Sequence, residues 1–298
     1  AYAFPERYQE LLTTAFDLAD TRITAGMHSP LDVVSGRILA TALAAAILND
    51  PANASLKAAA RAQAEAFLAV TAKDTTDVYA DRVANRKSIL PRLTYILPRT
   101  GRDKPLTVPK GAEVLLETRQ PYLTAAQRRA VLRSTALPGG YALLDGPEQW
   151  GRLDLYKAAD GYGAFENDVD VTINVDDAWR NDISGPGGLT KRGTGTLTLT
   201  GKNTFRGGVR ILGGTLAVQG EIGDLDIRGG TLRTKRAAAR SVTIGAGSTL
   251  EFTAGKPGTF TVLDAKRVSG RFATVTVPGF TAEAVYTRDA VKVKVSKA

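Results

Sequence analysis

The chain has 298 residues, 43% of them hydrophobic and 23% charged, a balance that supports a packed core and excludes a disordered or collagen-like chain. Its formal net charge is +9, with no cysteine and one histidine, which excludes disulfides, thiol nucleophiles, cysteine-bound zinc, iron-sulfur clusters and multi-histidine metal sites. This length predicts one long domain or two unequal ones. The absence of cysteine fits a cytosolic protein and an exported bacterial one equally.

Helices come first. Leu11, Leu12, Ala15, Phe16 and Ala19 recur at helical spacing, and an alanine-rich stretch from Arg37 to Ala72 is broken at Asn49, Asp50 and Pro51. The pattern predicts helices near residues 5–20, 30–49 and 52–72. The longest mostly apolar run, Ile38 to Leu48, has eleven residues, short of the ~20 that cross a bilayer, so no transmembrane span is expected. Pro91, Pro98, Pro105 and Pro109 cut residues 74–110 into short pieces. Thr124 and Gln127 have the spacing of a capping box, which predicts a helix to about Ser134 that stops before Pro138, Gly139 and Gly140. The chain opens at Ala1 with neither a basic leader nor an apolar signal core, as expected of an excised or processed piece.

After residue 165 the period changes to two, with Val169, Val171 and Ile173 alternating with Asp170, Thr172 and Asn174. Only 6 of the 30 glycines lie in residues 1–140, and residues 181–298 hold 18 Lys/Arg against 8 Asp/Glu, so the basic excess belongs to this later part. A unit recurs as Gly195-Thr196-Leu197, Gly214-Thr215-Leu216, Gly230-Thr231-Leu232 and Ser248-Thr249-Leu250, its leucines stepping by 19, 16 and 18 residues. A short β unit repeated at this interval predicts a solenoid whose rungs stack to bury their apolar sides, with a β-sandwich as the alternative. The expected fold is therefore α + β multidomain. A helical segment (1–75) and a connecting region with short helices (76–165) precede a right-handed parallel β-solenoid (166–298).

Lys235, Arg236, Arg240, Lys266, Arg267 and the lysines of the alternating tail have few aromatics among them. That pattern favours a solvated basic face over a nucleic-acid partner. Lysines on an edge strand also discourage strand addition.

The chemically loaded segment is Thr21 to Arg37, which holds the single histidine. Ser29 is placed to cap a helix opening at Pro30, with Asp32 favourable in its first turn. His28 then stands beside a helix N-terminus, where free amides and partial positive charge attract a phosphoryl group. Asp32 is one turn away, able to hold one ring nitrogen while the other serves as nucleophile, and Arg22 supplies a donor fork that matches phosphate oxygens. The ordinary alternative is a surface histidine beside a capped helix and an arginine in an ion pair.

Arg22, His28 and Asp32, set within Ala25-Gly26-Met27-His28-Ser29-Pro30-Leu31-Asp32-Val33-Val34-Ser35-Gly36-Arg37, form a pattern that resembles the third signature motif of the phosphatidic-acid phosphatase type-2 superfamily. That superfamily includes bacterial class A acid phosphatases and vanadium haloperoxidases. The resemblance implies a phosphohistidine at His28, Asp32 orienting its ring, Arg22 binding phosphate, a small phosphomonoester substrate and no metal cofactor; vanadate enters only in the haloperoxidase-like alternative. Thr21 stands where a serine is more usual. The family's first motif, a lysine followed at seven by Arg-Pro, and its second, Pro-Ser-Gly-His, have no counterpart in the residues before Arg22. The resemblance covers about the first 75 residues, and residues 109–165 resemble the linker segment of exported members. This chain alone is expected to be nearly inactive, which keeps a purely structural scaffold as the rival reading.

The β part carries a second resemblance. Gly187 to Gly208, with Lys191, Gly195, Gly201 and Phe205 at its marked positions, followed by Gly213 to Val218, is similar to the autotransporter-associated β-strand repeat. This implies an exported Gram-negative protein at the periplasm, cell surface or medium. It also implies an outer-membrane translocation barrel in the full-length protein, since the single alternating strand at Val291–Lys297 falls short of the eight that the smallest barrels need.

Overall fold

The computed structural model describes residues 1–70 and 80–297 and divides the chain into two compact units, Ala1–Ala159 and Asp160–Ala298. The boundary expected at residues 75 and 76, and the last residues of the helix expected over 52–72, lie outside the described residues.

In the first unit a 3-10 turn, Pro5–Arg7, leads into α1 (Tyr8–Thr24), followed by α2 (Pro30–Asn49), α3 (Ala54–Val70), α4 (Arg82–Arg92), α5 (Ala125–Thr135) and α6 (Leu155–Ala158). The first helix starts later and ends later than its apolar spacing predicts. Phe4 offers no side-chain cap, so the first turn is tight. The helix then continues through polar Asp20 to Thr24, until Gly26 takes a left-handed conformation (φ +69°) and its amide caps the carbonyl of Ile23. The expected capping box at Thr124 is present, with Thr124 Oγ1 accepting from the Gln127 amide and the Gln127 side chain accepting from the Thr124 amide.

The expectation of no transmembrane span rests on the uninterrupted apolar run, and one helix extends well past that run. α2 runs unbroken for 20 residues at a mean hydropathy of 1.8, long and apolar enough by length and composition to cross a bilayer. Counting only the uninterrupted apolar run misses this, because small Ser35 and Gly36 and the residues before them extend the helix without lowering its average much. Val34 and Ala45 are its buried residues, whereas Leu39, Leu43 and Ile47 are exposed. Val34 shares one core cluster with Ile89, Leu93, Leu97, Leu137, Leu144 and Tyr156, so residues well beyond the first three helices complete this unit.

The second unit is a parallel β-solenoid. Its strands are β1 (Val169–Thr172), β2 (Asp177–Trp179), β3 (Leu189–Arg192), β4 (Thr196–Leu199), β5 (Val209–Ile211), β6 (Thr215–Ala217), β7 (Gly220–Ile222), β8 (Leu225–Ile227), β9 (Thr231–Arg233), β10 (Ala237–Ala239), β11 (Val242–Ile244), β12 (Thr249–Glu251), β13 (Gly258–Ala265), β14 (Val268–Gly270), β15 (Thr274–Thr276), β16 (Phe280–Tyr286) and β17 (Ala290–Lys297). They form three sheets, ordered β1-β3-β5-β8-β11-β14, β2-β4-β6-β9-β12-β15 and β16-β17-β13-β10-β7.

The recurring triplets explain this stacking. Leu197, Leu216, Leu232 and Leu250 lie in register as one buried interior column, with Thr196, Thr215, Thr231 and Thr249 directly beside them on the outer face. Because strand side chains alternate faces, each triplet delivers one residue inward and one outward at every level. A parallel column of Val171, Lys191, Ile211, Ile227 and Ile244 lines the interior of the first sheet. Lys191 is fully buried there, and its Nζ donates to the carbonyls of Arg192 (2.9 Å), Gly193 (3.3 Å) and Gly213 (3.1 Å). Gly214 (φ +59°) must be glycine, since a Cβ would lie 2.5 Å from the carbonyl oxygens of Gly193 and Gly195. Tyr162, Phe165, Trp179 and Phe205 pack edge to face or tilted at the first rungs. At the other end the direction reverses: β17 pairs antiparallel with both β13 and β16.

Candidate functional site

The loop between α1 and α2 is fixed by its backbone. The amides of Met27 and His28 both donate to the carbonyl of Arg22, at 3.1 and 3.2 Å, which folds the loop back on the end of α1. Ser29 is extended (ψ 159°), Pro30 supplies the first helical turn, and Ser29 and Asp32 close a reciprocal capping box. Asp32 Oδ2 accepts from the Ser29 amide at 2.9 Å and from Ser29 Oγ at 3.0 Å, and the Asp32 amide donates to Ser29 Oγ at 3.2 Å.

His28 Nδ1 lies 3.9 Å from that same Oδ2, with the ring about half exposed. This is ion-pair range and longer than a hydrogen bond. The two bonds from Ser29, and secondarily the nearby imidazole, hold the Asp32 carboxyl below its ordinary range. Nδ1 is the ring nitrogen nearest the carboxylate.

Arg22, His28 and Asp32 all border one cavity of about 800 Å³ that follows the seam between α1 and α2. Leu12, Phe16 and Ala19 line it from one helix, Gly36, Ala40 and Ala44 from the other. Three further residues on its wall were not singled out as site residues from the sequence: Arg37, Arg92 and Tyr95. Arg37 Nη2 donates to the carbonyls of Leu93 (2.9 Å) and Gly151 (3.2 Å), while its buried Nε has no partner. Burial brings its guanidinium down to about 10, against the opposing pull of Asp154 and Tyr95. Arg92 is neutralised by Asp17 and, at 3.1 Å, by Asp20. Tyr95, at φ +45°, donates its hydroxyl to Asp20, and burial together with that carboxylate pushes the phenol up to about 12. Arg37 closes the quoted motif segment, but nothing in the linear sequence brings Leu93 or Gly151 to it. The cavity thus brings Arg22, His28 and Asp32 to an otherwise mostly apolar seam. Among the described residues, no group of three or more His, Cys, Asp or Glu side chains is gathered to hold a metal ion.

In the second unit the surface is organised by ion pairs that mostly bridge one rung to another. Arg192 meets Asp170 at 2.9 Å, Arg210 meets Asp226 at 3.3 Å, Arg240 meets Asp224 at 3.1 Å and Arg236 meets Asp264 at 2.8 Å. What this unit presents is regular stacking.

Comparison with known proteins gives that stacking a name. The passenger-associated-transport-repeat family model matches residues 189–218, which span β3 to β6. The second unit is autotransporter passenger-like. An extracellular serine protease of Serratia marcescens is 33% identical over 150 residues, covering 38% of this chain and 14% of that protein. The autotransporter lipoprotein NalP of Neisseria meningitidis serogroup B is 37% identical over 115 residues, covering 37% of this chain and 11% of that protein. An adhesin autotransporter, BmaC, of Brucella suis is 40% identical over 82 residues, or 25% of this chain and 2% of the adhesin. The chain therefore spans a small fraction of the length of these relatives. A passenger-like chain of this kind is exported by a Gram-negative bacterium to the surface or the medium. The phosphatase-like motif draws no support from these relatives.

Proposed function

We propose that this chain is part of an autotransporter passenger whose solenoid serves as a folding and secretion scaffold, with the helical unit carried on the same polypeptide. The observation that carries this reading is the in-register column of Leu197, Leu216, Leu232 and Leu250 within a passenger-type repeat. A rung of 16 to 26 residues buries its apolar side only on its neighbour, so the unit can form stepwise as an exported chain emerges. The absence of cysteine fits a chain that must stay free of disulfides until it has crossed. Its partner in the full-length protein is an outer-membrane translocation barrel.

The test is surface display in a Gram-negative host, using the full-length protein. Leu232→Asp, which places a charge in the column, is expected to abolish the protease-resistant surface fragment, while His28→Ala leaves display unchanged. Equal display of both variants would remove the scaffold role.

A second reading is favoured by one specific observation: Arg22, His28 and Asp32, far from scattering, share the wall of one cavity. On this reading the helical unit is the C-terminal portion of a histidine phosphatase domain. Arg22 would hold the phosphoryl group, Nε2 of His28 would form a bond to phosphorus as the ester P–O bond breaks and the leaving oxygen takes a proton from solvent, and Asp32 would stabilise the charged ring. Water would then cleave the P–N bond to release phosphate and free the imidazole. The same three residues would accept vanadate in a haloperoxidase-like alternative. The exposed Leu39, Leu43 and Ile47 suit a helix meant for the interior of a larger bundle. Hydrolysis of p-nitrophenyl phosphate by the full-length protein, lost in His28→Ala, is the expected result, and unchanged turnover in that variant refutes it.

A further inference from the structure

At the corner between the β16-β17-β13-β10-β7 sheet and the β1-β3-β5-β8-β11-β14 sheet, backbone hydrogen bonds hold successive turns in register. The amide of Arg240 donates to the carbonyl of Gly223 (3.1 Å), that of Lys266 to Arg240 (3.2 Å), that of Val242 to Arg267 (2.9 Å) and that of Val268 to Arg288 (2.8 Å). Asp224, Arg240, Lys266 with Arg267, and Arg288 therefore succeed one another along a single ridge, at the ~4.8 Å spacing of neighbouring strands. Arg240, Lys266, Arg267 and Arg288 are all exposed.

The charge pattern here departs from that of the faces. Arg192, Arg210, Arg236 and Arg240 each meet a carboxylate of another rung. Among the described residues Lys266, Arg267 and Arg288 make no ion pair, and the nearby Asp289 accepts from Thr287 Oγ1 at 2.8 Å. Three cations without an ion-pair partner on two adjacent levels repel one another in the folded state, and an anion lying across them relieves that repulsion.

We propose that this corner binds a linear anionic polysaccharide bearing sulfate or phosphate groups. A ridge one turn wide, running along the stacking direction, matches a polymer with charges repeated along its length better than it matches a flat surface. Only Val175 and Val285 are exposed large apolar side chains among the described residues of this unit, which leaves little to insert into a lipid layer. Ser241, whose hydroxyl donates to Asp224, and Ser269 border the cationic levels and add hydrogen-bonding capacity toward sugar hydroxyls.

The test uses the whole chain and fluorescein-labelled heparin as the probe, followed by anisotropy at ~50 mM salt, where surface charges are weakly screened. Replacing the three cations together, Lys266→Gln, Arg267→Gln and Arg288→Gln, is expected to weaken binding roughly tenfold. A matched set with the same change in net charge, Arg206→Gln, Lys235→Gln and Lys256→Gln, is expected to weaken it less than about twofold. All six side chains are exposed, and circular dichroism melting of both sets checks that they remain folded. On the unsubstituted protein, excess dextran sulfate should displace the probe and neutral dextran should not. Equal weakening by the two sets, displacement by neutral dextran, absence of heparin binding, or tighter binding to phosphatidylglycerol vesicles than to heparin would each overturn the proposal.

Discussion

The two units satisfy their apolar residues in opposite ways. In the solenoid each leucine of the recurring triplet meets another of the same kind one rung away, so a pattern of three residues is enough to specify a buried column. In the helical unit α2 is apolar over most of its surface, yet few of its 20 residues are buried, and the core it joins comes from residues 89 to 156. Burial is local and repeated in one case, distant and partial in the other. A mutation should therefore cost much at a triplet leucine and little on the open face of α2.

The sharpest break of that comparison is Leu216→Ala in the solenoid against Leu39→Ala on α2. Urea unfolding is expected to lose about 2–5 kcal/mol at Leu216, which is fully buried, and to change by no more than about 0.5 kcal/mol at Leu39, which is exposed. A loss at Leu39 as large as at Leu216 would show that the α2 face is covered in solution.

Next in size is Lys191→Met. The side chain keeps its volume but removes a donor from three carbonyl oxygens, of which that of Arg192 keeps the Ile173 amide, so the second unit should lose about 1–3 kcal/mol, read from its own unfolding transition. Ser29→Ala, which opens the capping box of α2, is expected to cost about 1 kcal/mol in the first unit, with a matching loss of helical circular dichroism.

The smallest effect is one of pH. Because the Asp32 carboxyl is held below its ordinary range in the folded state, it binds a proton less readily there than in the unfolded chain. Its contribution to the cap is fully present above the ordinary carboxylate range and is lost as pH falls through the lowered value. An NMR titration should place Asp32 below the ordinary aspartate range, and Ser29→Ala should return it toward that range.

Legibility in the sequence followed the same division. The triplets disclosed the solenoid because each residue's partner is a copy of itself one step later in the chain. After Leu250 that copying stops, and the reversal to antiparallel pairing was hidden: the tail Val291 to Lys297 reads as one alternating strand, but nothing local announces β13 and β16 on either side of it. In the helical unit the caps at Ser29 and Thr124 were readable because a box is a four-residue event. α4 was not, since Pro91 falls inside it near its end and argued for a break, whereas Asp81, which accepts from the amides of Val83 and Ala84, was the signal that mattered. At the candidate site Arg22, His28 and Asp32 are close in sequence and could be grouped. Arg92 and Tyr95 reach the same cavity only through tertiary packing, which no spacing rule encodes.

The lysine at position 191 has one more consequence. Isoleucine stands at the equivalent level of the three rungs that follow. Two of the lysine's acceptors, the carbonyls of Arg192 and Gly193, follow it directly in the chain, and only that of Gly213 comes from the next rung, so a chain that wound up one coil out of step would forfeit that bond and set the ammonium against the wrong level. A repeat protein whose coils are nearly interchangeable thereby acquires a zero mark from which the rest are counted.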